Sequence, residues 1–427
     1  MNLILKNGRV LDPAADRDFV GDVVVQEGRI RDLGAGIAAS GPGVVDCTGL
    51  VICPGFIDLH THLREPGFEY KETIESGTQA AVVGGFTAVC AMPNTNPVND
   101  GAGTTMYLRQ RALEIGAARV YPVGAITQAS RGEALAAIGE MKRAGAVALS
   151  DDGRPVMNPQ IMRRAMEYAA MFDLPIVEHA EDLLLSAGGV MHEGPAALRL
   201  GLRGISAESE AAMVARDILL ARQTGAHLHV AHLSTALAVE AVREAKARGV
   251  QVTAEVTPHH LTLCDEDIRD YDANFKMNPP LRSRADREAV IGALADGTID
   301  AIATDHAPHA PHEKQQEFNR APFGVIGLET ALPLVLRLVE AGRLPLRRGI
   351  EALTARPAAI FGLPGGRLEP GGEADLTVFD PRAAWVCEPA RLRSKSRNTP
   401  FAGCEMKGQA VYTIVGGRVV FAARPIQ

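Results

Sequence analysis

In VICPGFIDLHTHLR, residues 51–64, an apolar run ends in two histidines and an arginine. Side chains alternate along an extended strand, so His60 and His62 project to one side while Leu59 and Thr61 project to the other. Two imidazoles side by side at a strand end are the start of a metal site; a polar turn holding two histidines by coincidence is the competing reading. Similar residues recur downstream: Asn94, Asp151 and Asp152, His179, His232, His259 and His260, then Asp305, His306 and His309. Each follows a short apolar stretch. A lone histidine there is commonly a hydrogen-bonded bystander, but histidines or acids after nearly every such stretch are not explained that way. Imidazole and carboxylate donors without cysteine fit zinc, either a single ion or a pair bridged by a carboxylate or hydroxide.

The elements that must position these residues follow from the hydrophobic pattern. Strands are expected at FIDLHTH, FTAVCAMPN, ARVYPVGAIT, AVALSDDG, LPIVEHAED, AHLHVAHLST, QVTAEVTPHH and DAIATDHAPH. Helical periodicity lies between them in TIESGTQAAVVGG, PQIMRRAMEYAAMF, SAESEAAMVARDILLARQTG and ALAVEAVREAKARG. Strands alternating with helices in this number indicate an α/β fold, a (β/α)8 TIM barrel over residues 54–366, whose chemistry sits at the carboxyl ends of the strands. Both chain ends are instead β-rich, with LILKNGRVLD, DVVVQEGRIRDLG and GVVDCTGLVIC at one and EADLTVFDP, AAWVCEP and AVYTIVGGRVVFAA at the other. Residues 1–53 and 367–427 are therefore expected to pair into one small β-sandwich domain beside the barrel.

Bulk properties narrow the function. The 427 residues carry 44 basic and 51 acidic side chains, a net charge of -7, which disfavours nucleic acid or an anionic membrane as partner. The 6 cysteines have no C-x-x-C spacing, which points to reduced thiols in a cytoplasmic protein. The first residues, MNLILKNGRVLDP, are too short an apolar run for a signal sequence, and no stretch reaches the roughly 18 apolar residues of a membrane span.

Seven motifs in order, HTHLREPG, MPNTNPVND, SDDG, EHAED, HVAHLST, KMNPPLR and DHAPHAPHEK, together with SKSRNTPFAG near the end, resemble the dihydroorotases of the class I bacterial type, within the cyclic amidohydrolase superfamily. The resemblance implies a zinc-dependent, reversible cyclisation of N-carbamoyl-L-aspartate to L-dihydroorotate in pyrimidine biosynthesis. It implies that His60, His62 and Asp305 hold one zinc and His179 and His232 a second, with Asp152 bridging or closing the site. Neighbours on a strand face opposite ways, so only one of Asp151 and Asp152 can reach the metals, and the family's spacing favours Asp152. Hydantoinases and other dihydroorotases carry a carboxylated lysine here; Lys142 lies too early in this segment to serve, and the number of zinc ions, two being favoured, stays open.

By the same resemblance Arg64, Asn94 and His309 grip the substrate carboxylate, Asn278 and the backbone of Phe323 and Gly324 contact the ring, and His62 also borders the substrate. A guanidinium fork suits a carboxylate better than an ammonium does. Asp305 acts as general base toward water and then as acid toward the departing ring nitrogen. His227, His229, His259, His260, His306 and His312 are expected to be structural or to support the ligands from behind, and APHAPHEKQQEFNRAPFG is expected to form a loop over the pocket. A homodimer and association with aspartate transcarbamoylase stay open. The rivals are a hydantoinase or allantoinase, which would not need the carboxylate grip, and a non-catalytic dihydroorotase-like subunit of aspartate transcarbamoylase, which would not need the full ligand set.

Overall fold

The computed structural model describes residues 3–37 and 43–425; residues 1, 2, 38–42, 426 and 427, all within the expected β-rich ends, lie outside the described residues. Alternation at the amino end produces β1 (Leu3–Asp12), β2 (Arg17–Gln26), β3 (Arg29–Gly34), β4 (Val44–Asp46) and β5 (Val51–Pro54). The barrel strands follow as β6 (Phe56–Thr61), β7 (Phe86–Ala91), β8 (Arg119–Gly124), β9 (Ala148–Ser150) and β10 (Ile176–Glu178). A two-stranded ribbon, β11 (Met191–His192) with β12 (Gly204–Ile205), interrupts them before β13 (Leu228–Val230), β14 (Val252–Val256) and β15 (Ala301–Ile302). At the carboxyl end lie β16 (Leu376–Val386), β17 (Glu405–Val415) and β18 (Arg418–Ala422).

The two chain ends share one sheet, in the order β18-β17-β16-β5-β1-β2-β3 with β4 also paired to β1. They meet at β5, where Ile52 pairs with Val10 in parallel on one side and with Val378 antiparallel on the other. Leu3, Leu5, Val23, Val25, Ile52, Val378 and Ile414 bury this sheet's core face. β16 runs through both EADLTVFDP and AAWVCEP, which the sequence pattern separates, with a register irregularity between Asp380 and Ala384. β17 and β18 are joined through Gly416 and Gly417 at φ 54° and 73°, a pair of left-handed positions that a tight hairpin needs and glycine adopts without strain.

Eight parallel strands, β6 to β10 and β13 to β15, form the barrel in chain order. Each expected strand is present, and the expected helices are Ile74–Val83, Pro159–Ala170, Ala207–Thr224 and Ala236–Ala247. Further helices, among them Ala102–Ile115 and Arg284–Asp296, were not legible in the pattern. Ala102–Ile115 buries only Thr105, Leu108 and Ala112, a stripe too thin to register as amphipathic.

The last strand closes on the first largely through side chains. Asp58, wholly buried, accepts hydrogen bonds from Thr304 N (3.0 Å), Thr304 Oγ1 (2.5 Å) and His60 N (3.1 Å). His62 N donates to His306 O at 2.9 Å just beyond. A hydrogen bond to a buried carboxylate is worth about 1.5–3 kcal/mol. Thr304→Val keeps the branched shape and deletes the hydroxyl, so we expect the thermal unfolding midpoint to fall by about 2–5 °C in a melting experiment.

Candidate metal centre and active site

The carboxyl ends of the strands bring His60, His62, Asp152, His179, His232 and Asp305 into one buried cluster. Two overlapping triads, His60 with Asp152 and His232, and His60 with His62 and Asp305, hold candidate ligand atoms within 4.8 Å of one another. Asp152 is the centre: Oδ1 lies 3.3 Å from His60 Nε2, 3.4 Å from His179 Nδ1 and 3.7 Å from His232 Nε2, and Oδ2 lies 3.5 Å from His62 Nε2. His179 Nδ1 and His232 Nε2 are 3.0 Å apart. Asp305 Oδ1 is 3.0 Å from His62 Nε2.

His60 Nε2 tests whether this set fits a cation. It is buried and makes no hydrogen bond, although Asp152 Oδ1 and Asp305 Oδ1 lie 3.3 and 3.6 Å away. A buried nitrogen aimed between two carboxylate oxygens without bonding either suits a shared metal ion, and nitrogen and oxygen donors alone suit zinc or a similar borderline cation. The electrostatics agree. Burial opposes charge on Asp152, yet His60, His179 and His232 hold its carboxyl well below the usual range. Burial also opposes protonation of His179, yet Asp152 and Glu181 raise it to about 10. An imidazole drawn so strongly to positive charge stands where a dication gains the same attraction.

Local structure explains the convergence. His232 and Asp305, a few residues beyond β13 and β15, have φ of 33° and 46°, and Arg64 has 63°. Left-handed backbone at residues with a Cβ costs about 1–3 kcal/mol and persists only where neighbours hold it. Glu210 holds the turn after His232 by accepting from Ser234 N (3.1 Å), Thr235 N (2.9 Å) and Thr235 Oγ1 (2.7 Å). Asp151 turns the other way from Asp152 and accepts from Ile126 N at 2.8 Å and Thr127 N at 3.1 Å. Lys142 lies on helix Ile138–Ala144.

A cavity of about 520 Å³ opens onto the cluster, and Arg64, Asn94, Asn278, His309, Phe323 and Gly324 all line it. Arg64 makes no surface ion pair with Glu65 or Glu69; its Nε donates to Pro308 O at 3.1 Å and its Nη2 lies 3.5 Å from His309 Nε2. His309 is kept neutral, lowered to about 2 by burial and by the charges of Arg64 and Lys71. Its Nε2–H donates to Phe323 O at 2.8 Å. Asn94 Oδ1 accepts from His62 Nδ1 (2.8 Å) and its amide donates to Asp152 Oδ2 (3.3 Å), joining cavity and cluster. Gly324 sits at φ 143°, where a Cβ would approach Ala307 O to 2.8 Å and His309 Cδ2 to 2.9 Å, so a side chain there would displace the cavity wall.

Of the other histidines, His229 meets Glu255 behind His60, His259 Nε2 is buried without a hydrogen-bond partner, and three are held by neighbouring side chains or backbone. His306 Nε2 lies 3.3 Å from Glu72 Oε2, His260 Nε2 donates to Pro279 O at 3.0 Å, and His312 stacks on Tyr70. Sequence reasoning missed three acids and bases at the site. Glu255, on β14, contacts His60 Nδ1 at 3.0 Å and His229 Nε2 at 3.1 Å, and these imidazoles bring it down to about 2 against burial. Glu181 Oε2 lies 3.2 Å from His179 Nε2 and accepts from Asn278 Nδ2 at 2.8 Å. Arg154 lines the cavity with an exposed side chain. Glu255 could have been found as an acid in the otherwise apolar run VTAEV, and Glu181 as the second acid of EHAED.

Comparison with known proteins fits this geometry. Residues 229–421 match the model of the amidohydrolase family. The solved L-hydantoinase (dihydropyrimidinase) of Arthrobacter aurescens is 25% identical, covers 100% of this chain and 97% of its own, and superposes with a TM-score of 0.89. The class defined by fold and cluster is thus the amidohydrolases. Within it, residues 49–237 match the dihydro-orotase-like model. Dihydroorotases of Syntrophotalea carbinolica and Anaeromyxobacter dehalogenans are 55% and 56% identical, over 99% and 98% of this chain and 99% and 97% of their own. That of Pelotomaculum thermopropionicum is 54% identical over 100% of both. The chain belongs to the dihydroorotase family.

Glu255 fixes the ring and tautomer of His60 from behind, the arrangement that raises a ligand's basicity. Glu255→Gln is expected to weaken metal binding about 10- to 100-fold. Competition with a chelator measures this directly, and unchanged affinity would remove Glu255 from the site.

Proposed function

We propose that this chain is a zinc-dependent dihydroorotase, which closes N-carbamoyl-L-aspartate into L-dihydroorotate and water, reversibly, in pyrimidine biosynthesis. One observation carries the reading: the metal-ligand cluster and a cationic subsite built on Arg64 share a single cavity of about 520 Å³. Dihydroorotate needs both, since it is a cyclic amide bearing a free carboxylate.

His60, His62 and Asp305 would hold one zinc and His179 and His232 another, with Asp152 between them. Zinc, when bound, supplies Lewis acidity toward water and toward the substrate carbonyl. Asp305 then handles the proton. In ring opening, its carboxylate takes a proton from the attacking water and returns it to the ring nitrogen as the carbon–nitrogen bond breaks; in ring closure the steps reverse and water leaves. Arg64, Asn94 and His309 orient the carboxylate, while Asn278 and the Phe323–Gly324 backbone border the ring. Because His309 is neutral with Nε2–H committed to Phe323 O, Arg64 carries the charge of that grip.

A hydantoinase would have no use for a half-buried guanidinium at the cavity wall. The non-catalytic reading is disfavoured by a filled ligand set. The proposal extends to cytoplasmic residence, supported by free cysteines at all 6 positions. It extends also to the homodimer and the aspartate transcarbamoylase complex that the resemblance allows, which light scattering of the protein alone and with that enzyme tests.

The purified protein loaded with zinc should open dihydroorotate, with N-carbamoyl-L-aspartate as product, and should prefer it over hydantoin and dihydrouracil; failure on dihydroorotate sinks the reading. Arg64→Lys keeps the charge but loses the bidentate fork, so efficiency on dihydroorotate should drop about 10-fold or more while zinc content holds.

An aspartate at position 152 is anionic at neutral pH without chemical modification, whereas a lysine must first react with carbon dioxide. Apo-protein given zinc in bicarbonate-free buffer should therefore recover activity as fast and as fully as with bicarbonate. A bicarbonate requirement would mean that a lysine bridges the metals.

A further inference from the structure

Two buried ammonium groups stand behind the cavity wall, and the chemistry above uses neither. Lys314, the last residue of the DHAPHAPHEK motif, is 8% exposed. Its Nζ donates to three main-chain carbonyls, Pro322 O at 2.9 Å, Gly324 O at 3.1 Å and Lys276 O at 3.2 Å. An ammonium has three N–H donors, so all are taken. Among the described residues it pairs with no carboxylate, since its neighbour Glu313 turns to Lys71 at 2.9 Å. Lys276 donates to Phe318 O at 2.7 Å and Asn319 O at 3.2 Å, and its Nζ lies 4.5 Å from the centre of the Phe323 ring.

The three carbonyls come from two separated segments. Lys276 leads into Asn278, while Pro322 and Gly324 flank Phe323, whose carbonyl holds the His309 imidazole. Gly324 N closes the junction by donating to Lys276 O at 2.9 Å. Asn398, from the SKSRNTPFAG stretch, ties the far side: its amide donates to Ala307 O and Gly324 O at 3.0 Å each, and its Oδ1 accepts from His309 N at 3.0 Å. Burying an ammonium without a carboxylate is costly, and burial together with the Lys276 charge brings Lys314 down to about 7. A buried amine committed to three main-chain carbonyls at that cost is a built feature.

We propose that Lys314 is a positioning residue for the substrate's carboxylate and ring subsites: its ammonium ties the Asn278 segment to the Phe323–Gly324 segment and so fixes His309 and the cavity wall without touching substrate. The inference rests on the dihydroorotase reading. Lysine suits the role because three carbonyls around a tetrahedral ammonium have no match in a planar guanidinium or an apolar chain. Its effect falls on binding rather than on the proton transfers at Asp305.

Lys314→Met should raise KM for dihydroorotate about 10-fold, leave kcat within about 3-fold and leave bound zinc unchanged. Amide hydrogen exchange should quicken across residues 315–324 while the barrel strands keep wild-type protection. Lys314→Gln, which retains two N–H donors, should fall between Met and wild type, and carries the same measurements if Lys314→Met does not fold. Unchanged KM in the variants, unchanged exchange in 315–324, or loss of kcat and zinc with KM intact overturns the proposal. Wild-type turnover of dihydroorotate is measured first, so a failure of the functional reading shows in the parent protein, while the exchange comparison still reads the clamp.

Discussion

The structure is organised around one buried anion. Asp152 has imidazole nitrogens of His60, His62, His179 and His232 within 3.7 Å, each delivered from a different turn at the barrel mouth except the first two. A carboxylate taken out of water is tolerable only when positive or hydrogen-bonding groups replace the lost hydration. Those groups can arrive together only if parallel strands end at the same level, as a closed barrel requires. The demands of the anion and the geometry of the fold therefore select the same arrangement, and a metal cation satisfies both.

Holding that arrangement takes backbone that would not adopt it unaided. His232 and Asp305 sit in left-handed conformations, and each lies beside an acid with no place in the cluster: Glu210 gathers the turn after His232, and Asp58 grips Thr304 before Asp305. Asp151 does likewise for the loop after β8. These acids work on peptide N–H groups, which resist displacement more than long side chains do. The strain is thus held close to where it arises, and ligand directions are set before any ion binds.

What could be read from sequence follows the range of each force. Strand-end histidines were legible because alternation and apolar runs are local, and HTH, SDDG and DHAPH stand out against them. Asp152 could be told from Asp151 only through family spacing; the structure separates them by their partners, imidazoles for one and the Ile126–Thr127 backbone for the other. Glu255 was not legible because its purpose depends on His60, 195 residues away, and on His229 on the adjoining strand. Helix Ala102–Ile115 was missed because it buries so little. Lys314 was visible only as the end of a motif, since its partners are carbonyls, which no sequence pattern marks.

The charges divide the cavity into two halves. On one side the carboxylates of Asp152 and Asp305 invite a cation; on the other, Arg64 faces the cavity, with Lys71, Lys276 and Lys314 in the structure behind it. His309 lies between and is neutral because those cations repel a further proton once burial has already disfavoured it. With the Lys71 ammonium 3.4 Å from Nδ1, the neutral ring carries its proton on Nε2 and donates to Phe323 O, so its orientation is fixed by hydrogen bonding. On the function proposed above, an anionic substrate would enter this field with its carboxylate toward Arg64 and its reacting carbonyl toward the cluster. On that reading, selectivity for a ring that carries a carboxylate begins with charges that never meet the reacting atoms.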